Sequence, residues 1–378
     1  MIKKIAIKNF RSLLDVNVEL APITVLAGRS GTGKSNFVDA MAFLSSAIEH
    51  GSHPQNLVES TVNFGGWDRI RPANLKGHEF HVGFELHFQV PAFSGDFNYG
   101  LALQFPNGRV ADESLTHNGR VLFHQRAGNW VTKPDLATTG SLGSVMLGWL
   151  TGLPEVNVAY VSLVKAIRCY DFPGNVLATN SQPAPTGAEA LNKDGSNAFR
   201  IIDGILGSIQ SLGNWREIEA SLKILTAALI GVTVNPFSGE KIGASFKLGD
   251  SVASIGLSQQ SEGFRRFLAQ MIAIYQNPTQ QVVIFEEPEK GIFPGALSLL
   301  ADHIKSANEK LGTQFILTTH SPQLLDAFPG EAIRWVKFSD RGTDISPLAA
   351  DDLLAIKEGL LTPGEFLTVA DPGTPEPA

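Results

Sequence analysis

Residues 28–35 read Gly28-Arg29-Ser30-Gly31-Thr32-Gly33-Lys34-Ser35, the G-x-x-x-x-G-K-S spacing of a phosphate-binding loop. Each residue type has a mechanical task. Glycines let the backbone curl until successive N–H groups point at phosphate oxygens. A helix starting on the loop adds the positive end of its dipole. Lys34 has the reach for β- and γ-phosphates, and Ser35 carries a hydroxyl that can ligate Mg²⁺. Far down the chain, the apolar run Val282-Val283-Ile284-Phe285 ends in Glu286-Glu287-Pro288-Glu289. Glu286 is the candidate to hold the metal, and Glu287 the candidate general base for an attacking water. His320 ends the next apolar run, Gln314–Thr319, and could touch a γ-phosphate or orient the water. Ser261 and Gly263 open a turn into an apolar helix, where a hydroxyl and a backbone N–H can donate to phosphate oxygens. Ser261 is equally a good helix N-cap.

These groups need elements to carry them. Ile23–Ala27 reads as a strand entering the loop, and residues 36–49 as the helix leaving it. Residues 1–27 suggest a hairpin and a third strand, with Asp15–Leu20 alternating at period two. Residues 51–75 read as irregular, with Asn63–Arg69 as a loop or turn. Between 78 and 130, Phe80, Val82, Phe84, Leu86 and Phe88 share a strand face. Asn107-Gly108 and Asn118-Gly119 mark turns, so an antiparallel sheet is predicted there. Residues 135–230 read as mainly helical, interrupted by the Pro-, Ser- and Thr-rich segment Thr179–Gly187. Strands return at 232–248, and 281–285 and 314–318 have the continuous apolar character of buried parallel strands. The organisation predicted is an α/β core from 1–50 and 250–345, a β-rich lobe over 51–134, and a mainly helical insert with returning strands over 135–249. Residues 362–378 lack the apolar content to pack and are expected to be a disordered tail.

Composition narrows the class. With 378 residues, 43% hydrophobic and 18% charged, the chain has the balance of a globular protein with a sizeable core. No apolar run approaches a membrane span. The start, Met1–Lys8, alternates like a strand rather than reading as a signal peptide. The single cysteine, Cys169, excludes an internal disulfide and a Cys-x-x-Cys metal site, which makes a reducing cytoplasm the expectation. A net charge of −7 disfavours a DNA-coating surface. Lys3, Lys4, Lys8 and Arg11 cluster, as the solvated face of an edge strand would, or as a local nucleic-acid contact.

Five segments in this order resemble the ABC-type ATPase heads of the SMC/RecF/OLD group, above all the compact RecF-like "AAA family" ATPases of bacteria. They are Ile7–Ser12, the phosphate loop, Gln260-Ser261-Glu262-Gly263, Phe285–Glu289 and Thr318–Pro322. The match covers about residues 1–50 and 250–340, with a similar β-rich lobe following Asn63–Gly66. The resemblance implies an α/β P-loop NTPase fold with a mixed sheet, an antiparallel β lobe and a helical insert. It implies ATP and Mg²⁺ as ligands, and a nucleotide site including Gly28–Asn36, with Arg11 near the base. It also implies a homodimer formed on ATP binding, in which Ser261 and Gly263 act on the nucleotide of the other copy. Gln89 and Gln104 are the candidates for the metal-sensing glutamine of such heads, and Glu286 stands where the group more often has Asp. No long coiled coil, zinc hook or Toprim-like acidic pattern follows from the sequence, which implies an ATPase subunit lacking its own nuclease. The expected function is an ATP-driven switch acting in DNA repair or phage defence, on DNA directly or through a partner effector. A nucleotide sensor with negligible turnover is the alternative. A GTPase or kinase is disfavoured, since no Asn-Lys-x-Asp motif is present.

Overall fold

The computed structural model describes residues 1–51, 53–75, 77–134, 143–178, 190–207, 211–234, 242–248, 250–276 and 280–369. Thr179–Gly187 and the final residues 370–378 lie outside these. The chain forms two compact units, Met1–Ile167 with Pro329–Ala378, and Arg168–Phe328.

In the first unit, β1 (Ile2–Phe10) and β2 (Leu13–Glu19) form the expected hairpin. β3 (Ile23–Ala27) runs into the phosphate loop, which opens helix α1 (Lys34–His50). The short helices α2 (Pro54–Ser60) and α3 (Trp67–Ile70) occupy the stretch expected to be irregular, so Trp67–Arg69 is helical rather than a loop. Gly65 and Gly66, both at φ +89°, make the break between the helices. Next come β4 (Phe80–Val90), β5 (Phe93–Phe105), β6 (Arg109–His117), β7 (Arg120–Arg126), β8 (Asn129–Thr132) and α4 (Pro154–Tyr160). The sheet order is β2-β1-β4-β5-β6-β7-β8, so the N-terminal hairpin belongs to the same sheet as the predicted lobe. Strict alternation on β4 buries Phe80, Val82, Phe84, Leu86, Phe88 and Val90 on one face. Phe43 of α1 meets that face, with ring centroids 6.1 Å from Phe84, 6.3 Å from Phe105 and 5.6 Å from Phe10.

A fully buried carboxylate anchors the segment after this sheet. Glu113 on β6 accepts from Tyr99 Oη (2.9 Å), Gln125 Nε2 (2.8 Å), Met146 N (2.6 Å) and Leu147 N (3.0 Å). Burial pushes its pKa up, and these four donors pull the other way without cancelling the rise.

The second unit begins at β9 (Ile167–Tyr170). It continues through α5 (Ala198–Leu206), α6 (Leu212–Leu225), β10 (Leu229–Val234), β11 (Ile242–Leu248), β12 (Ser251–Gly256) and α7 (Glu262–Tyr275). β13 (Val282–Glu286), α8 (Gly295–Leu311), β14 (Gln314–Thr319) and α9 (Pro322–Leu325) complete it. β13 and β14 are parallel, as their apolar runs predict, and Glu286 opposite Thr318 is the last pair of the ladder. Tyr170, Phe285 and Phe315 stack through this core, at centroid separations of 5.7 and 6.5 Å. β10-β11-β12 form a separate antiparallel sheet.

The chain then returns to the first unit as β15 (Ile333–Ser339), β16 (Gly342–Pro347), α10 (Ala350–Lys357) and α11 (Pro363–Val369). β15 lies parallel to β3 and antiparallel to β16. α11 occupies the start of the expected disordered tail. Phe366 gives it an anchor, edge-on to Trp335 at 5.1 Å, while Pro363 is buried. No helix among the described residues is long and apolar enough to cross a membrane.

Candidate functional site

The phosphate loop is carried entirely by the first unit. β3 is buried over its last four residues, then the chain surfaces. Arg29, Ser30, Gly31 and Ser35 are exposed, while Gly28, Thr32, Gly33 and Lys34 are buried. Gly33 is the N-cap of α1 at φ +105° and supplies no side-chain cap, so the first N–H groups of the helix have no side-chain acceptor from it. Lys34 folds back over the loop, its Nζ donating to the carbonyls of Gly28 at 2.7 Å and Arg29 at 2.8 Å. Thr32 Oγ1 also donates to Arg29 O, at 2.8 Å.

A residue with no motif to announce it braces the loop from behind. Thr343, at the start of β16, donates from Oγ1 to Thr32 O at 2.8 Å and lies 2.7 Å from Ser12 Oγ. Asn36 Nδ2 donates to the same Ser12 hydroxyl at 2.7 Å. The packing is close enough to require glycine: a Cβ on Gly33 would come within 2.1 Å of Thr343 Oγ1, and one on Gly28 within 2.3 Å of Val336 O. Arg11 sits beside this cluster in the left-handed region, at φ +50°. Its guanidinium contacts Asp39 Oδ2 (2.5 Å), Asn36 Oδ1 (3.3 Å) and Phe64 O (3.2 Å). That arrangement braces α1 against the 61–66 segment. Gln89 and Gln104 bond to Asp96 and Glu79 within the lobe.

The second unit carries the acids and the histidine. Glu287 stands just past the end of β13 at φ +44°, a conformation that costs a branched or long side chain roughly 1–2 kcal/mol. Its N–H is held by both Thr318 O and Thr318 Oγ1, each at 3.1 Å. Its carboxylate is held from both sides, by His320 Nε2 at 2.7 Å on Oε1 and Lys290 Nζ at 2.8 Å on Oε2. Burial alone would raise the Glu287 pKa. The hydrogen bonds and charges of Lys290 and His320 outweigh burial and hold it below the ordinary carboxylate range. Lys290 is pushed up in turn, first by its bond to Glu287 and further by the charges of Asp171 and Glu286. Glu289 accepts on Oε1 from Thr319 Oγ1 (2.7 Å) and His320 N (2.8 Å).

The same unit holds the Ser-x-Gly turn. Ser261 is the N-cap of α7, its Oγ accepting from Phe264 N at 3.2 Å, which leaves the hydroxyl proton able to donate outward. A Cβ on Gly263 would lie 2.7 Å from Gly291 O, so the turn packs directly on the segment following the acids. Arg265 is buried beneath it without a carboxylate partner among its bonds. It donates to Val176 O (3.0 Å), Gly174 O (2.8 Å) and Gln260 O. Gln270 Nε2 reaches Pro288 O at 2.7 Å, tying α7 to the acidic turn.

No group of three or more His, Cys, Asp or Glu side chains able to hold a metal occurs among the described residues. Ser35, exposed at the start of α1, and Glu286, at the end of β13, each offer oxygen donors of the kind Mg²⁺ accepts. Glu289 ends a motif visible in the sequence and Lys290 directly follows it, but neither has a role legible there. Arg265 is a charge on a helix of buried apolar neighbours, a detectable anomaly, whereas Thr343 left no local signal.

Comparison with known proteins bears on both ends of the chain. Residues 1–73 match the family described as "AAA ATPase domain", and residues 245–326 match "AAA domain, putative AbiEii toxin, Type IV TA system". The curated relative matched is an OLD nuclease of Thermus scotoductus, 23% identical over 361 residues, which cover 89% of this chain. The chain spans 62% of that relative's length. Among solved structures, an Smc head bound to the C-winged helix domain of ScpA gives a TM-score of 0.59 at 16% identity, over 94% of this chain and 99% of that one. An Smc head domain with an extended coiled coil from Pyrococcus furiosus, bound to the C-terminal domain of ScpA, gives 0.54 at 13% identity, over 95% and 99%.

Proposed function

We propose that this chain, whose fold is that of an ABC-type P-loop ATPase head and which resembles the SMC/RecF/OLD-like group, binds Mg²⁺-ATP and hydrolyses it. The observation that carries this reading is the Glu287–His320 pair, 2.7 Å apart, on a chain that also has a complete phosphate loop. The amides from Gly28 to Asn36 would cradle the phosphates, and Lys34 would exchange its two carbonyl partners for phosphate oxygens. Ser35 and Glu286 would hold Mg²⁺, which supplies charge neutralisation at the phosphates. Glu287, ionised at neutral pH, accepts the proton of the attacking water while His320 orients it. Arg11 acts on the nucleotide through Asn36 and the 61–66 segment. Ser261 and Gly263 serve the nucleotide of a second copy, so ATP favours the paired state and hydrolysis releases it.

That cycle would drive a partner effector in the cytoplasm, in DNA repair or phage defence. The net charge of −7 assigns any DNA contact to a local surface or to the partner. The test is Glu287→Gln. It should bind ATP, lose steady-state hydrolysis, and sediment as a dimer with ATP. Turnover equal to the parent would refute the assignment of the base, and an unchanged mass with ATP would refute the paired state. A second reading, a nucleotide-sensing regulatory subunit of a toxin or nuclease, draws on the engagement of both Glu287 oxygens at rest. Tight ATP binding by the parent with no phosphate release above background would favour it.

A further inference from the structure

The ladder between β13 and β14 stops at Glu286 opposite Thr318. Beyond that pair β14 runs one residue further, to Thr319, and the chain leaves it at His320, while β13 is diverted by the left-handed turn at Glu287 and by Pro288, which has no N–H to offer. The backbone N–H of His320 therefore loses its place in the sheet. Glu289 Oε1 takes it at 2.8 Å, and takes the Thr319 hydroxyl at 2.7 Å. Thr319 Oγ1 in turn accepts Ser321 N at 2.9 Å, which extends the brace one residue past the histidine. Glu289 Oε1 stands in for the ladder acceptor that β13 no longer offers to His320 N. His320 is thus fixed at two points, its main chain by Glu289 and its ring by Glu287.

We propose that Glu289 is a positioning residue for hydrolysis, setting the exit of β14 so that the His320 imidazole meets Glu287. The proposal rests on the reading of Glu287 and His320 as the hydrolytic pair. Only Oε1 does this work. Oε2 is buried and has no hydrogen-bond partner among the described residues. The function therefore needs an acceptor at the Oε1 position and not a charge.

The experiment compares Glu289→Ala, Glu289→Gln, Glu289→Asp, His320→Ala and the Glu289→Ala/His320→Ala double variant in steady-state ATP hydrolysis across pH. Glu289→Ala should lower kcat about 10- to 100-fold, the scale of an ångström-sized misplacement, with KM near the parent's. Glu289→Gln should stay within about threefold of the parent, since it keeps an acceptor at Oε1. Glu289→Asp withdraws the carboxylate without removing it and should lose activity like Ala, so it is the variant to read if Ala does not fold. The double variant should be no slower than His320→Ala alone. An unimpaired Glu289→Asp, a Gln variant as slow as Ala, or additive losses in the double variant would overturn the proposal. If His320→Ala keeps the parent's kcat, the hydrolytic pair itself is refuted and the role of Glu289 falls with it.

Discussion

With Glu287 as the proposed base, replacing Lys290 by Met should make ATP hydrolysis faster at neutral pH and more sensitive to acid. Lys290 Nζ lies 2.8 Å from Glu287 Oε2, so one of the two oxygens that could take a proton from water is engaged by an ammonium. Lys290 is 47% exposed and Glu287 17%, so solvent screens the pair heavily. Bare attraction at that distance in water is about 1.5 kcal/mol. Measured pairs of this kind contribute about 0.2–1 kcal/mol once entropy and screening are included. Taking about 1 kcal/mol as the cost of withdrawing Lys290 before reaction, its removal raises kcat by up to about fivefold. The methionine keeps the stem, and His320 still holds the carboxylate from the other side. The sign of the pH effect follows from the same contact. Lys290 and His320 depress the Glu287 pKa against burial, so losing Lys290 raises it. Glu287 then protonates at higher pH, and the acidic limb of the rate profile moves up. The variant profile should cross the parent's, faster near neutrality and slower in acid. Lys290→Arg, which keeps the charge, should retain the brake. Steady-state phosphate release over a pH series, at saturating Mg²⁺-ATP, decides it. A kcat lowered at every pH would mean that Lys290 supports the reaction, and an unmoved limb would mean that Glu287 is not the titrating base.

Thr343→Val should weaken ATP binding about fivefold, the effect of losing about 1 kcal/mol from the brace on Thr32 O, and titration calorimetry against the parent measures it. Arg265→Met should lower unfolding stability by about 3 kcal/mol, because three backbone carbonyls lose a charged donor together. A denaturation midpoint like the parent's would contradict the clamp seen on Gly174 and Val176. Glu113→Gln should cost about 2 kcal/mol at neutral pH, since its amide NH₂ must face donors wherever it turns. The parent's Glu113 pKa is raised on folding, so its contribution is complete below the ordinary carboxylate pKa and declines as pH rises through the folded value. Chemical denaturation at several pH values should show that decline in the parent and not in Glu113→Gln.

Local pattern made several elements legible. The loop announces itself by spacing, β4 by strict alternation, and β13 and β14 by continuous apolar runs. Signals that depend on distant pairing were silent. Thr343 reaches Thr32 across 311 positions, and no periodicity around Thr343 says so. The hairpin β1–β2 reads as a hairpin, yet only the register Ile7 opposite Phe84 reveals that it shares the sheet of the lobe. Short helices were hidden for another reason. The helix at Trp67–Ile70 is a single turn preceded by two glycines, and α11 is anchored by the Phe366–Trp335 contact and by burial of Pro363. Of the candidate site, the sequence offers residue types and order. The engaged state of Lys34 and Glu287 depends on rotamers and neighbours that spacing does not encode.

The left-handed backbone at Glu287 has a consequence for how this position tolerates change. Glycine or asparagine would relax it and remove roughly 1 kcal/mol of strain, so a library screened for thermal resistance alone should enrich those residues there. The proteins recovered would be sturdier and catalytically silent. Position 287 is therefore one where selecting for robustness and selecting for turnover pull in opposite directions, and sequencing the survivors of each selection separately would expose the conflict.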